Sequence, residues 1–267
     1  MRGRVGSAAS SAMTDEATLL KAVLDAPDDD APRLAYAQWS DGQGDAVSIA
    51  RGELIRAQID LMHTAPEVIK TGRAFGLQHR IWELIERHGA SWAGAIAGSV
   101  DAYHFVRGFV GWIKLSARRF LDHGDSIMAL APVQHLDLTD VRDVDEALFD
   151  SPLWSHIRSL SMDACGLHDL HLQMLAASPH VTNLRWLSVA DNHLTLAAAE
   201  ALAASPFLRD LRYVELRGNP TDPVERLGYD SGIVVASWMP PEGKSLEARF
   251  GHQAWLHREV IPGRFEV

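Results

Sequence analysis

The 267-residue chain has one cysteine, Cys165, so no disulfide can form within it. That fits a reducing compartment, and a cytoplasmic location is expected. No apolar run approaches the roughly 20 residues a helix needs to cross a bilayer, so no membrane partner is expected. Positive charge is scarce: 25 Lys and Arg stand against 35 Asp and Glu, a formal net charge of −10. A nucleic-acid binder needs the reverse balance to neutralise phosphates, so DNA and RNA are set aside. G-x-S-x-G, Walker A, H-E-x-x-H and dinucleotide fingerprints are also missing. The expectation is therefore a non-enzyme with no catalytic residue, no cofactor and no metal. The first residues, Met1 to Ala12, are rich in Ser, Ala, Gly and Arg. They lack the apolar stretch of a secretory signal, and residues 1–13 are expected to be a disordered tail, with Met13 as an alternative start.

What is present begins with helices. Thr14 is placed to cap a first helix, with Leu19, Leu20, Val23 and Leu24 on one face and Pro27 ending it. In Asp28-Asp29-Asp30-Ala31-Pro32 the last Asp is expected to cap a second helix, whose apolar contacts come from Leu34, Tyr36 and Trp39. The run lacks the spaced oxygen ligands of a calcium loop, so capping is preferred to cation binding. A third helix is expected over Val47 to Met62. A fourth is expected over about Glu67 to His88, with Ile81, Trp82, Leu84 and Ile85 inward and Gly89 as its C-cap. Trp82 and Trp92 are read as core. Residues 14–102 then form a small helical domain.

The pattern changes after Tyr103. Ser151-Pro152, Ser178-Pro179 and Ser205-Pro206 recur every 27 residues, each followed by Arg158, Arg185 or Arg212. Apolar residues alternate behind each arginine: Ile157-Leu160-Met162-Cys165-Leu167, Leu184-Leu187-Val189-Asn192-Leu194 and Leu211-Val214-Leu216-Asn219. Alternation turns one face of a short strand inward. The Asn or Cys falls where the chain leaves the strand, and a side-chain donor there can satisfy carbonyls left without partners. Cys165, in that position, is expected to be buried and inert. Helical stretches such as Leu194 to Ala204 follow. Val133-Leu136-Leu138, with Val141 at the turn, is an earlier, shorter unit, and Ile113-Leu115 a degenerate one.

These residues resemble leucine-rich repeats of the ribonuclease-inhibitor-like type. The run from Leu19 to Ala37, extended by Trp39, Gly44-Asp45 and Arg51-Gly52-Glu53-Leu54-Ile55-Arg56-Ala57-Gln58, is similar to the bacterial repeat-companion domain, which precedes repetitive regions and has no assigned activity. The resemblances imply an α/β fold: an N-terminal helical repeat-companion domain, a short leucine-rich-repeat solenoid with parallel strands over residues 103–220, and a C-terminal cap over 221–267. In the cap, Ile233-Val234-Val235 reads as a strand and Pro240-Pro241-Glu242-Gly243 as a turn, with a further element from Leu246 to Leu256.

Stacked strands align their outward residues in columns. The first runs Trp112, His135, Ser159, Trp186, Tyr213; the second Lys114, Asp137, Ser161, Ser188, Glu215; the third Ser116, Thr139, Asp163, Ala190, Arg217. The residues proposed for binding an unidentified protein partner on a concave face are Trp112, His135, Asp137, Asp163, Trp186, Ser188, Tyr213, Glu215 and Arg217. The aromatics among them are read either as interface anchors or as the seat of the C-terminal cap. His168 with His171, and His252 with His257, are read as capping or solvated rather than as metal ligands. Two rival readings stay open: an enzyme using Asp122, His123 and Asp125, and a purely structural assembly component.

Overall fold

The computed structural model describes residues 16–64, 72–141, 146–230 and 233–257. The expected tail and the Thr14 cap lie outside them. The protein is α/β. One sheet has six strands in the order β1-β2-β3-β4-β5-β6, mostly parallel, and a second has two. The chain divides into two compact units. One holds the described residues up to Trp112 with Ser126–Val133, and the other Ile113–Asp125 with the described residues from Gln134.

In the first unit, α1 covers residues 16–25 and α2 spans Asp30–Gly42. The α2 cap is Asp29, whose carboxylate accepts from Ala31 N at 2.9 Å. Asp30, expected as the cap, is instead the first helical residue and pairs with Arg107 at 2.9 Å and His63 at 2.6 Å. Asp45 caps α3 (Ala46–Met62) by accepting from Val47 N and Ser48 N. Helix α4 spans Gly72–Ala93 and runs through Gly89 rather than stopping there. A Cβ on Gly89 would sit 3.3 Å from Phe105, so the glycine admits a neighbouring ring instead of ending a helix. Two further expectations fail: Trp82 and Leu34 are exposed rather than core. The inward stripe of α4 is Ile81, Leu84 and Gly89, and Trp82, one residue past Ile81, is turned about 100° away from it.

Strands β1 (Ala102–Val106) and β2 (Phe109–Ser116) are joined by two residues, Arg107 and Gly108, both at positive φ (49° and 84°). Such a connection makes an antiparallel hairpin. A Cβ on Gly108 would come within 2.1 Å of Ile55, so only glycine fits. The turn is held from three sides. Arg33, 1% exposed, donates to Arg107 O and Pro27 O, while Arg107 donates to Asp28 O and Pro27 O. Gln58 ties β1 to the turn, donating to Phe105 O and accepting from Gly108 N. The apolar cluster beneath comprises Val23, Tyr36, Ala37, Ile55, Ile59 and Phe109.

In the second unit, β3 (His135–Thr139), β4 (Ser159–Ser161), β5 (Trp186–Ser188) and β6 (Tyr213–Glu215) pair in parallel. Register puts Leu136, Leu160, Leu187 and Val214 side by side, each at most 2% exposed. Helices α5 (Ala117–Met128), α6 (Asp169–Ala177) and α7 (Leu196–Ala204) lie between strands in sequence, and α6 packs on α7. The Ser-Pro period acquires a cause here. Ser178 and Ser205 end α6 and α7, and Ser205 Oγ accepts from Phe207 N and Leu208 N while donating to Ala176 O of the previous period.

The turn residues do what their spacing suggested. The buried Asn192 amide donates to Met162 O, Val189 O and Ala190 O, each at 3.0 Å, and its oxygen accepts from Leu167 N at 2.9 Å. Asn219 repeats this with Val189 O, Leu216 O and Leu194 N, and the Cys165 thiol donates to Leu138 O. Just before each of these residues, and before Val141, the backbone turns left-handed, at Asp140, Ala164, Asp191 and Gly218 (φ 53° to 78°). Each lies four residues past the member of the row Leu136, Leu160, Leu187, Val214 on its strand.

Past β6, β7 (Arg226–Asp230) and β8 (Ile233–Trp238) form an antiparallel pair. Pro241, expected in a turn, opens α8 (Pro241–Phe250), as suits a residue that needs no N–H in a first helical turn. Arg249 of α8 pairs with Glu200 of α7. The final 3₁₀ turn, Ala254–His257, buries Trp255 and Leu256 and packs beside β6.

Two outcomes test this account by thermal or denaturant unfolding. Asn192→Ala leaves Met162 O and Leu167 N without this partner and takes one of two donors from Val189 O and Ala190 O, and should cost about 3 kcal/mol. Ala164→Gly relieves a left-handed alanine and should raise stability by about 0.5–1 kcal/mol after the glycine's added unfolded-state entropy is subtracted; a loss would show the turn to be unstrained. A third outcome concerns acid. Burial pushes the Asp30 carboxyl up, but the bonds from His63 and Arg107 outweigh it and hold the group below its ordinary 3.8. A depressed acid stabilises the fold above its unfolded pKa, and that contribution fades as pH falls through the folded value. The melting-temperature gap between wild type and Asp30→Asn should therefore be present at neutral pH and close in strong acid; a gap independent of pH would remove the ion pair from the account.

Candidate functional site

Parallel register gives the outward face of β3–β6 its geometry. His135, Ser159, Trp186 and Tyr213 lie in one row, and Asp137, Ser161, Ser188 and Glu215 in the next. Their exposure is unequal. Trp186 is buried at 6%, and its ring lies flat against Tyr213, 5.6 Å between centroids with 7° between planes. Ser159 and Ser188 are buried as well. Half-buried positions are His135, Asp137, Tyr213 and Glu215, while Asp163 and Arg217 are exposed.

Polar groups on this face are tied to one another. Lys114 reaches Asp137 at 3.2 Å. Asp163 accepts from Ser188 Oγ at 2.6 Å and from Ala190 N at 2.9 Å. Tyr213 donates to Glu215 at 3.1 Å, and Glu215 also accepts from Arg217 N. Side chains fixed in this way present a preformed surface, which suits binding that sacrifices little side-chain freedom. Trp112 lies in the first unit and is described there: it packs on His104 with centroids 4.5 Å apart.

The other residues singled out from the sequence divide clearly. His168 and His171 form a capping box at the start of α6, where His168 N donates to His171 Nδ1 at 2.9 Å. Asp122, His123 and Asp125 are exposed on α5, and Asp122 is paired with Arg118. Cys165 is buried, and burial pushes its thiol up. His252 and His257 are brought together with Glu247, one donor atom from each within 4.8 Å of the others, the single such group among the described residues that could hold a metal ion. As they stand the three satisfy one another: Glu247 accepts from His257 at 2.7 Å and is 3.2 Å from His252. The His257 bond holds the Glu247 carboxyl down, and Glu247 in turn raises His257.

A feature the sequence reading passed over lies in the first unit. A cavity of about 390 Å³ opens beside Arg51 of α3, lined by the apolar or aromatic Tyr36, Trp39, Val47 and Trp92, by three serines and Gln43, and by the acids Glu16 and Asp45. Arg51 is 9% exposed, and its Nε and Nη1 are buried without a hydrogen-bond partner. Burial pulls the guanidinium down to about 10. The sequence did hold a signal. Arg51, Leu54, Ile55 and Gln58 share one helical stripe, so two polar residues stand at core positions.

No protein-family model matches the chain, and neither the curated proteins nor the solved structures give a match.

Proposed function

We propose that this chain is a non-catalytic protein-binding module. Its 27-residue periods form a leucine-rich-repeat solenoid behind a helical repeat-companion domain, and a protein partner docks on the outward face of β3–β6. The observation that carries this reading is the unbroken register His135–Ser159–Trp186–Tyr213, which sets side chains from four periods in one row on a rigid backbone. Tyr213, Glu215, Arg217 and Asp163 are the contact residues within reach of solvent. Trp186 acts beneath them as the support on which Tyr213 lies. The segment from α8 to Ala254–His257 serves as the cap of the last period, supported by Arg249–Glu200 and by the burial of Trp255.

The test follows the burial pattern. Trp186→Ala opens a cavity and confuses binding with stability, whereas Tyr213→Ala with Arg217→Ala removes a half-buried and an exposed side chain and leaves Trp186 in place. A partner isolated by affinity capture and then purified should bind this double variant about thirtyfold more weakly than wild type, as for loss of an interface anchor worth about 2 kcal/mol. Unchanged affinity, with both proteins folded, would remove the sheet face as the binding surface.

A further inference from the structure

We propose that the cavity over Arg51 is a binding site for a carboxylate carried on an apolar, ring-sized body. Three buried arginines in this unit differ in what they touch. Arg33 and Arg107 each leave Nε unbonded, but their Nη groups are taken up by backbone carbonyls of the hairpin and the α1–α2 turn. Those two are structural. Arg51 leaves both Nε and Nη1 without a hydrogen-bond partner, and of the three it alone lines the cavity.

What surrounds Arg51 leaves those donors unused. The guanidinium carbon lies 4.9 Å from the ring centre of Phe109, 5.3 Å from Trp92 and 5.5 Å from Phe105. Contacts of that kind support the cation but engage the faces of rings, which accept no conventional hydrogen bond from its N–H edges. Trp92 Nε1, in the same cavity wall, is also buried without a partner. The orphan Nε and Nη1 of Arg51 and Nε1 of Trp92 are all donors closed to water, so the group that fits the open side of the guanidinium is an acceptor. A buried cation calls for an anionic one.

The two acids at the edge are hydrogen-bonded elsewhere, although the Glu16 charge also acts on Arg51. Glu16 accepts from Tyr36 Oη at 2.7 Å, and Asp45 caps α3. Their charges remain close to the cavity and oppose a second negative charge in it, which favours a carboxylate over a phosphate dianion. Tyr36, Trp39, Val47 and Trp92 supply an apolar side to a lining that also holds Ser40, Gln43, Ser48 and Ser91, and a volume of about 390 Å³ is enough for an aromatic or similar group attached to the acid. A free organic acid and the carboxylate end of a peptide share this chemistry.

Calorimetric titration of the full chain tests the site, with 3-phenylpropanoate, its uncharged amide, phenyl phosphate and a short peptide ending in phenylalanine as probes. The carboxylate should bind, and the amide should bind at least about tenfold more weakly, the effect of one charge-assisted hydrogen bond. Tighter binding of the peptide or of the free acid assigns the source, and either supports the site. Val47→Trp, at an exposed position on the rim, should fill the cavity and abolish binding while leaving the melting temperature unchanged. Arg51→Met should also abolish it; should that variant not fold, the acid–amide pair on the wild-type chain decides. No heat from any carboxylate, equal binding of the amide, preference for phenyl phosphate, or unaltered binding by Val47→Trp would each overturn the proposal.

Discussion

The second unit depends on one side-chain amide placed where a strand ends. Asn192 supplies donors to three carbonyls and an acceptor to one N–H, all of which are cut off from water. Without it, the chain could not leave β5 inside a packed interior, because buried peptide groups must be bonded. Asn219 does the same work one period later, and the two amides share Val189 O. Successive periods are thus joined by polar bonds through the interior as well as by strand pairing and the row of Leu136, Leu160, Leu187 and Val214.

A different device serves the first unit. The Arg107–Gly108 turn inserts between the α1–α2 loop and α3, where two arginines and Gln58 satisfy the carbonyls that a tight turn leaves over. Guanidinium groups are suited to this because their donors fan out in a fixed plane and reach several oxygens at once. The cost of burying them is offset by those bonds and by aromatic faces, as with Arg33 over Phe109. Arg51 has the faces but leaves both Nε and Nη1 unbonded, which is why it stands apart from its neighbours.

Much of the second unit was legible in the sequence because its signals are local. Alternating apolar residues fixed the strands, and a donor at constant offset marked the turns. The ends of α2 and α4 were misplaced because Asp29 and Asp30 are both competent caps, and because a glycine beside an aromatic ring looks, in sequence, like a helix end. The fate of Trp82 turned on a 100° step around a helix. The candidate surface was harder to read. Within β3–β6 the first two rows were correct in register, but the burial of Trp186 was not legible from its own strand. The cavity was harder still: Arg51 matters through partners it lacks, and the rings around it come from Phe105 and Phe109, some fifty residues farther on.

The left-handed residue four places past each member of the row Leu136, Leu160, Leu187, Val214 has a consequence for how such a chain can vary. Leu136 and Leu160 are only 24 residues apart, yet Asp140 holds the same backbone conformation as Ala164, Asp191 and Gly218. The strand and the bend after it behave as a fixed cassette, and the three-residue deficit is absorbed on the return path. Insertions and deletions between the bend and the next strand should therefore leave the alignment of the sheet undisturbed.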